Sequence, residues 1–158
     1  MKFLVAAFIV ATALCGCKFS VSSGDEKLPA PTAGTAAEQE EAAAAARRYL
    51  ALIDQEKYDE TWRQAGPALR DETNNFLWRN TLKLTHKAFG TPANREIEGF
   101  GFSTRIEANV PVGEYVLVQF KSPSGNTTAT EKVVMQKEAG AWKIVGYFVE
   151  KGTRVSNH

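Results

Sequence analysis

The chain has 158 residues, 44% of them hydrophobic, and its 19 Lys and Arg nearly balance 18 Asp and Glu. That balance excludes nucleic-acid binding driven by a basic surface. The length leaves room for one globular domain and a short extension but no second domain, and nine Phe, four Tyr and three Trp supply enough apolar surface to exclude wholesale disorder.

Residues 1–17 read MKFLVAAFIVATALCGC: one Lys at position 2, an uncharged run from Phe3 to Leu14, then small residues and two cysteines. This is the layout of an export signal. The run of twelve residues is short of the roughly 20 that cross a bilayer as a helix. Leu14-Cys15-Gly16-Cys17 resembles the bacterial lipobox, which implies a signal peptide over 1–16 and lipidation of Cys17. The other reading is a plain secretory peptide that leaves Cys17 as a free or disulfide-bonded thiol. Lys18 stands where an Asp would resemble an inner-membrane retention signal. The resemblance therefore implies the outer membrane, facing the periplasm, with the acyl chains as the membrane attachment. No cysteine occurs in 18–158, which excludes a disulfide framework and a Cys nucleophile or metal site from the folded part.

Residues 17–35 mix Ser, Gly, Pro and charge without period and read as a lipidated Cys and flexible tether. A single α+β domain over 36–151 and a tail over 152–158 complete the expected organisation. Three helices are expected first. In 36–54, Ala42, Ala45, Ala46, Tyr49, Leu52 and Ile53 share one face. Glu38, Glu40 and Glu41 begin that helix, either as a cation site or, more simply, as carboxylates at the positive end of the dipole. A short helix over 58–65 groups Tyr58, Trp62 and Ala65 and stops at Gly66-Pro67. A third over 72–89 aligns Trp78, Leu82, Thr85 and Phe89, with Leu77, Thr81, Leu84 and Ala88 beside them, and ends at Gly90.

After Pro92 the period changes to two. Strands are predicted over 97–108, 114–121, 127–137 and 141–150, with a tight hairpin at Glu138-Ala139-Gly140. Trp142, Ile144, Gly146 and Phe148 are predicted to share one face of the last strand. Helices first and antiparallel strands last predict an α+β fold, about three helices packed on a curved four-stranded sheet. Its predicted core holds Tyr49, Trp62, Trp78, Leu82, Phe89, Val118, Phe120, Trp142, Ile144 and Phe148.

Over residues 42–150 the chain resembles the bacterial family known as domain of unknown function 4019. The resemblance is carried by Tyr49-Leu50-Ala51-Leu52-Ile53-Asp54, by Tyr58 with Trp62, by Trp78, and by Phe89-Gly90 with Arg95. It continues through Pro111, Gly113, Tyr115, Val116, Val118, Phe120 and Thr130-Glu131, and ends on Trp142-Lys143-Ile144-Val145-Gly146-Tyr147-Phe148. Gln55-Glu56-Lys57 departs from it by lacking the Gly usual after the Asp, Ala88 by replacing a Pro, and the turn at 122–127 differs locally. The order of elements is similar to cystatin-like and nuclear-transport-factor-2-like folds, which implies a curved sheet able to enclose a conical pocket.

Candidate chemistry is sparse. Of two histidines only His86 is internal, and it offers either a general acid-base group, paired with Asp54 or Glu98, or a half-exposed residue near a helix C-terminus. No zinc or EF-hand spacing, P-loop or dinucleotide fingerprint is present, so no metal or cofactor is expected. Gly99-Phe100-Gly101-Phe102 reads as strand entry or a bulge. Trp62, Trp78, Trp142 and Tyr147, with Phe148, either line an apolar ligand pocket or form core. Arg47, Arg48 and Arg95 either clamp an anion at its mouth or pair on the surface. The expected function is a non-catalytic binding or interaction module of the cell envelope, with an envelope protein or polymer as partner. The alternative is a small-ligand carrier or acid-base enzyme with a pocket between helices and sheet.

Overall fold

The computed structural model describes residues 28–107, 109–124 and 127–153. The expected signal peptide, Cys17 and residues 154–158 lie outside these. Ordered pairing begins ahead of the first helix, where Thr32 and Phe102 exchange two backbone hydrogen bonds of 2.8 Å.

Helix α1 (Ala36–Asp54) starts at a capping box: Thr35 Oγ1 accepts from the Glu38 N–H, and Glu38 Oε2 accepts from the Thr35 N–H at 2.6 Å. Most of the acidic run is thereby explained, since Glu38 caps and Glu41 accepts from Lys137 Nζ at 3.0 Å. The buried face carries Ala42, Ala45, Ala46, Tyr49, Leu50 and Ile53, and three alanines there let the helix lie close to the sheet. The helix ends in a Schellman motif, with Lys57 N–H donating to Leu52 O at 2.8 Å and Glu56 N–H to Ile53 O at 3.0 Å. Glu56 sits at the left-handed position (φ 56), within the Gln55-Glu56-Lys57 stretch that lacks the Gly of the resembled family. This cap fixes Asp54 as the last helical residue.

Helices α2 (Tyr58–Arg63), α3 (Pro67–Glu72) and α4 (Asn75–Phe89) follow, one more than expected. Helix α2 ends at Arg63, capped by Gln64, two residues short of the expected 65 and ahead of Gly66-Pro67, and Pro67 at the first helical position starts α3, because its missing N–H has no partner to lose there. Gly66 N–H donates to Ile144 O at 2.8 Å, and a Cβ at Gly66 would lie 2.8 Å from Val145 Cγ1. The backbone therefore approaches the sheet as only glycine permits. Helix α4 starts later than predicted, at the Asn74 cap, whose Oδ1 accepts from Leu77 N–H at 3.0 Å.

Strands β1 (Glu96–Ser103), β2 (Tyr115–Ser124), β3 (Thr127–Glu138) and β4 (Ala141–Thr153) form one antiparallel meander in chain order. Ala139 and Gly140, with φ 49 and 77, make the two-residue β3–β4 turn whose twist suits a hairpin. Rows of residues cross the face that meets the helices. The first three are Phe102–Val116–Met135–Ile144, Phe100–Val118–Val133–Tyr147 and Ile97–Phe120–Glu131–Val149, and the end row is Ser122–Ala129–Lys151.

The register holds one correction. Val134 pairs with Gly146 but Met135 pairs with Ile144, so Val145 is a bulge and the alternation of β4 reverses beyond it. Tyr147 consequently faces the helices, whereas Phe148, expected in the core, is 47% exposed. Trp62 and Phe89 are half-buried; the other expected core residues are buried.

Candidate functional site

The core face is apolar until its third row, where β3 places Glu131, 1% exposed, between Phe120 and Val149. A carboxylate so deep requires a partner. Arg95, which enters just ahead of β1, supplies it with Nε to Glu131 Oε2 at 2.6 Å and Nη2 to Oε1 at 3.1 Å. The other edge of the same guanidinium grips Asp54 at the end of α1, with Nη1 to Oδ2 at 2.6 Å and Nη2 to Oδ1 at 2.8 Å. Tyr147 OH, turned inward by the β4 bulge, donates to Glu131 Oε1 at 2.7 Å. One Arg thus bridges two carboxylates in fork geometry, linking α1, β1, β3 and β4.

Burial opposes the Arg95 charge, but its hydrogen bonds to Asp54 and Glu131, with their charges, outweigh this and hold its pKa above the ordinary guanidinium value. Burial, the Glu131 charge and the hydrogen bond to it push the Tyr147 phenol well above its usual range.

Beside this network lies a partly enclosed cavity of about 150 Å³, between the C-terminal ends of α1 and α4 and the far end of the sheet. Its polar lining includes Asp54, His86, Ser122, Glu131 and Tyr147; Ile53, Phe89 and Val149 are apolar. Ser122 is fully buried, and its Oγ has no hydrogen-bond partner among the described residues. His86 projects from the last turn of α4 and is held at both ring nitrogens, by Tyr58 OH to Nδ1 at 2.9 Å and Thr91 Oγ1 to Nε2 at 2.9 Å. Burial, followed by the Glu56 charge, raises the Tyr58 phenol. A larger hollow of about 520 Å³ beside Leu52, Tyr58 and Arg63 is open to solvent, and Arg63 at its rim is paired with Glu60.

The sequence candidates separate on this geometry. His86 and Asp54 line the same cavity, although no hydrogen bond joins them. Glu98 is the bulge residue of β1 and bonds to Gln119 at 2.6 Å and Lys121 at 3.4 Å, away from His86. Of the four aromatic candidates only Tyr147 reaches the cavity. Trp78 donates to Thr61 Oγ1 at 2.9 Å, Trp142 packs edge-on to Phe102 beneath Lys137, and Trp62 packs at the core margin. Arg47 lies over the Phe120 ring at 5.5 Å. Arg95, expected at the surface or a pocket mouth, is instead the centre of the buried network. Its partners are 41 and 36 positions away, so no local spacing signals it. Asp54, Arg95, Glu131 and Tyr147 all lie within motifs of the family resemblance, which is the one sequence signal they share.

Among the described residues no group of three His, Cys, Asp or Glu converges as metal ligands. No helix among them is long and apolar enough to cross a membrane.

A second surface feature stands on the outer side of α4. Trp78 and Leu82 face inward, but Phe76, Leu77 and Leu84 are 70%, 53% and 67% exposed; Leu77 and Leu84, two turns apart, share an outward row, and Phe76 falls on the neighbouring row with Lys83. Leu77 and Leu84, predicted beside the core stripe, are therefore on the solvent side. Arg79, Lys83 and Lys87 recur every four residues along the neighbouring edge, all exposed. Arg79 pairs with Asp59 at 3.3 Å; Lys83 and Lys87 make no ion pair among the described residues.

These features define a small α+β domain whose helices cover one face of an antiparallel meander, with an ion-paired, hollow end to its core. The chain belongs to the family described as protein of unknown function (DUF4019), whose sequence model matches residues 45–147. No curated protein and no solved structure matches it.

Proposed function

We propose that the protein is an exported, lipid-anchored binding module of the bacterial cell envelope. Cys17 is acylated and held in the outer membrane, and the domain faces the periplasm. Its outer α4 surface engages an acidic, amphipathic segment of another envelope protein. The observation that carries this reading is the outer surface of α4, where Phe76, Leu77 and Leu84 stand exposed among the exposed Arg79, Lys83 and Lys87. Exposed large apolar side chains grouped on a helix face are a feature of interaction surfaces. A parallel row of cations selects a partner whose own apolar stripe is edged with carboxylates. Both ring nitrogens of His86 are engaged by hydrogen bonds, which favours binding over acid-base turnover by that residue.

Two measurements test this. Cys17→Ala should abolish incorporation of labelled palmitate and release the chain from membranes; labelled mutant protein overturns the anchor. A photoreactive residue at position 84 in intact cells should give one discrete protein adduct that disappears when Lys83 and Lys87 are reversed to Glu. Cross-linking to phospholipid alone, or an adduct indifferent to the reversal, overturns the assigned partner.

A further inference from the structure

The cavity behind Asp54 and Glu131 has its own chemistry, independent of the α4 surface. Two carboxylates line it and a single guanidinium, Arg95, which is not part of the lining, pairs with both. One formal negative charge is left over in a site of low exposure. Glu131 Oε1 accepts two bonds, from Arg95 and Tyr147, whereas Glu131 Oε2 and each Asp54 oxygen accept one, from Arg95, and retain acceptor capacity; Asp54 is the more exposed of the two carboxylates. Ser122 adds a buried hydroxyl with no partner, and such groups are uncommon without a ligand or water to satisfy them. Ile53, Phe89 and Val149 supply apolar wall. Lys151 brings a cation to the Phe89 wall, with its Nζ 5.4 Å from the centre of the ring, in the row of Ser122 and Ala129.

We infer that this cavity is a binding site for the ammonium group of a small primary amine. The –NH₃⁺ group donates to Asp54 and to Ser122 Oγ, and a short carbon body lies against Phe89 and Val149. An ammonium carries three donors and no acceptor, matching acceptors that have no donor left to receive. A cavity of about 150 Å³ has held a six-carbon ring in another protein, so a body of a few carbons fits while a drug-sized ligand does not. Lys151 at this wall distinguishes two sources of the same head group: it disfavours a second cation and favours a carboxylate beyond the ammonium, as in a small amino acid.

The test uses the full chain, purified from cell envelopes in detergent, with ligand-observed NMR and calorimetry. Ethylammonium and glycine are the probes; tetramethylammonium, which has no N–H donor, is the control at matched ionic strength. The expected result is saturable binding of a primary ammonium and none of the control. Ser122→Ala, which removes no existing hydrogen bond and should fold, weakens that binding roughly tenfold or more. Ser122→Val, which fills the space, should abolish it. Tighter binding of glycine assigns the amino-acid class, and tighter binding of ethylammonium the simple amines. Binding that is unchanged in Ser122→Ala, or equal uptake of tetramethylammonium, or no uptake of either amine, overturns the site.

Discussion

The two ends of one sheet face are built on opposite principles. At the Ile144 end, Val116, Met135 and Ile144 are fully buried against α1 and the Gly66 approach, and stability there rests on close apolar packing. At the Ser122 end the same strands present Glu131, Tyr147 and Ser122, and helix termini replace helix faces as the cover. The first arrangement tolerates change in proportion to volume. The second depends on every charge keeping its partner, and it leaves space that the first does not. A fold that needed only stability would carry apolar residues across the whole face, since a buried ion pair is often no more stabilising than well-packed hydrocarbon.

Breaking the charged end gives the largest expected effect. Arg95→Met leaves Asp54 and the deeply buried Glu131 without their common partner, and should lower the unfolding free energy by about 3–5 kcal/mol in urea titration. A loss below about 1 kcal/mol would mean that water reaches both carboxylates and that the two ends differ less than the geometry says.

Tyr147→Phe removes one hydrogen bond to a charged acceptor while preserving the packing, and should cost about 1.5–3 kcal/mol near neutral pH. Its pH dependence is set by the raised phenol pKa. Below about pH 10 both the folded and the unfolded phenol hold their proton, so the contribution is complete. Above that, the unfolded chain releases its proton first and stability falls until the folded pKa is passed. The gap between wild type and Tyr147→Phe should therefore narrow as pH rises past about 10, measured by urea unfolding at stepped pH. A constant gap would separate Tyr147 from the Glu131 charge.

The apolar end was far more legible in the sequence than the polar one. Periodicity located α1 at residues 36–54 and the four strands to within a few residues, because helix and strand repeats are local properties. Periodicity misplaced Phe148, because the Val145 bulge, which lies against Gly66 nearly eighty residues away, has no mark in the local pattern. The extra helix α3 is hidden for the opposite reason: Gly66-Pro67 reads locally as a stop, whereas Pro67 begins a helix. Arg95 carried no local sign of burial, since its carboxylates come from the end of α1 and the middle of β3. His86 and Asp54 were placed near one pocket by type alone; the orphan hydroxyl of Ser122 lies in a strand whose pattern reads as ordinary alternation.

Ser122→Ala gives the smallest effect and the opposite sign. The hydroxyl is buried without a partner, so its desolvation is uncompensated and removing it should raise the unfolding free energy, by up to about 1 kcal/mol. At the Ile144 end every truncation of a side chain opens a void and destabilises. At the Ser122 end a void already exists beside the residue, so loss of one atom adds little to the cavity cost. Thermal unfolding of ligand-free protein checks the sign. If Ser122→Ala is instead destabilising by about 1 kcal/mol or more, the hydroxyl is satisfied in solution by bound water. In that case the hollow end is a hydrated part of the core, and the contrast between the two ends is one of solvent and not of vacancy.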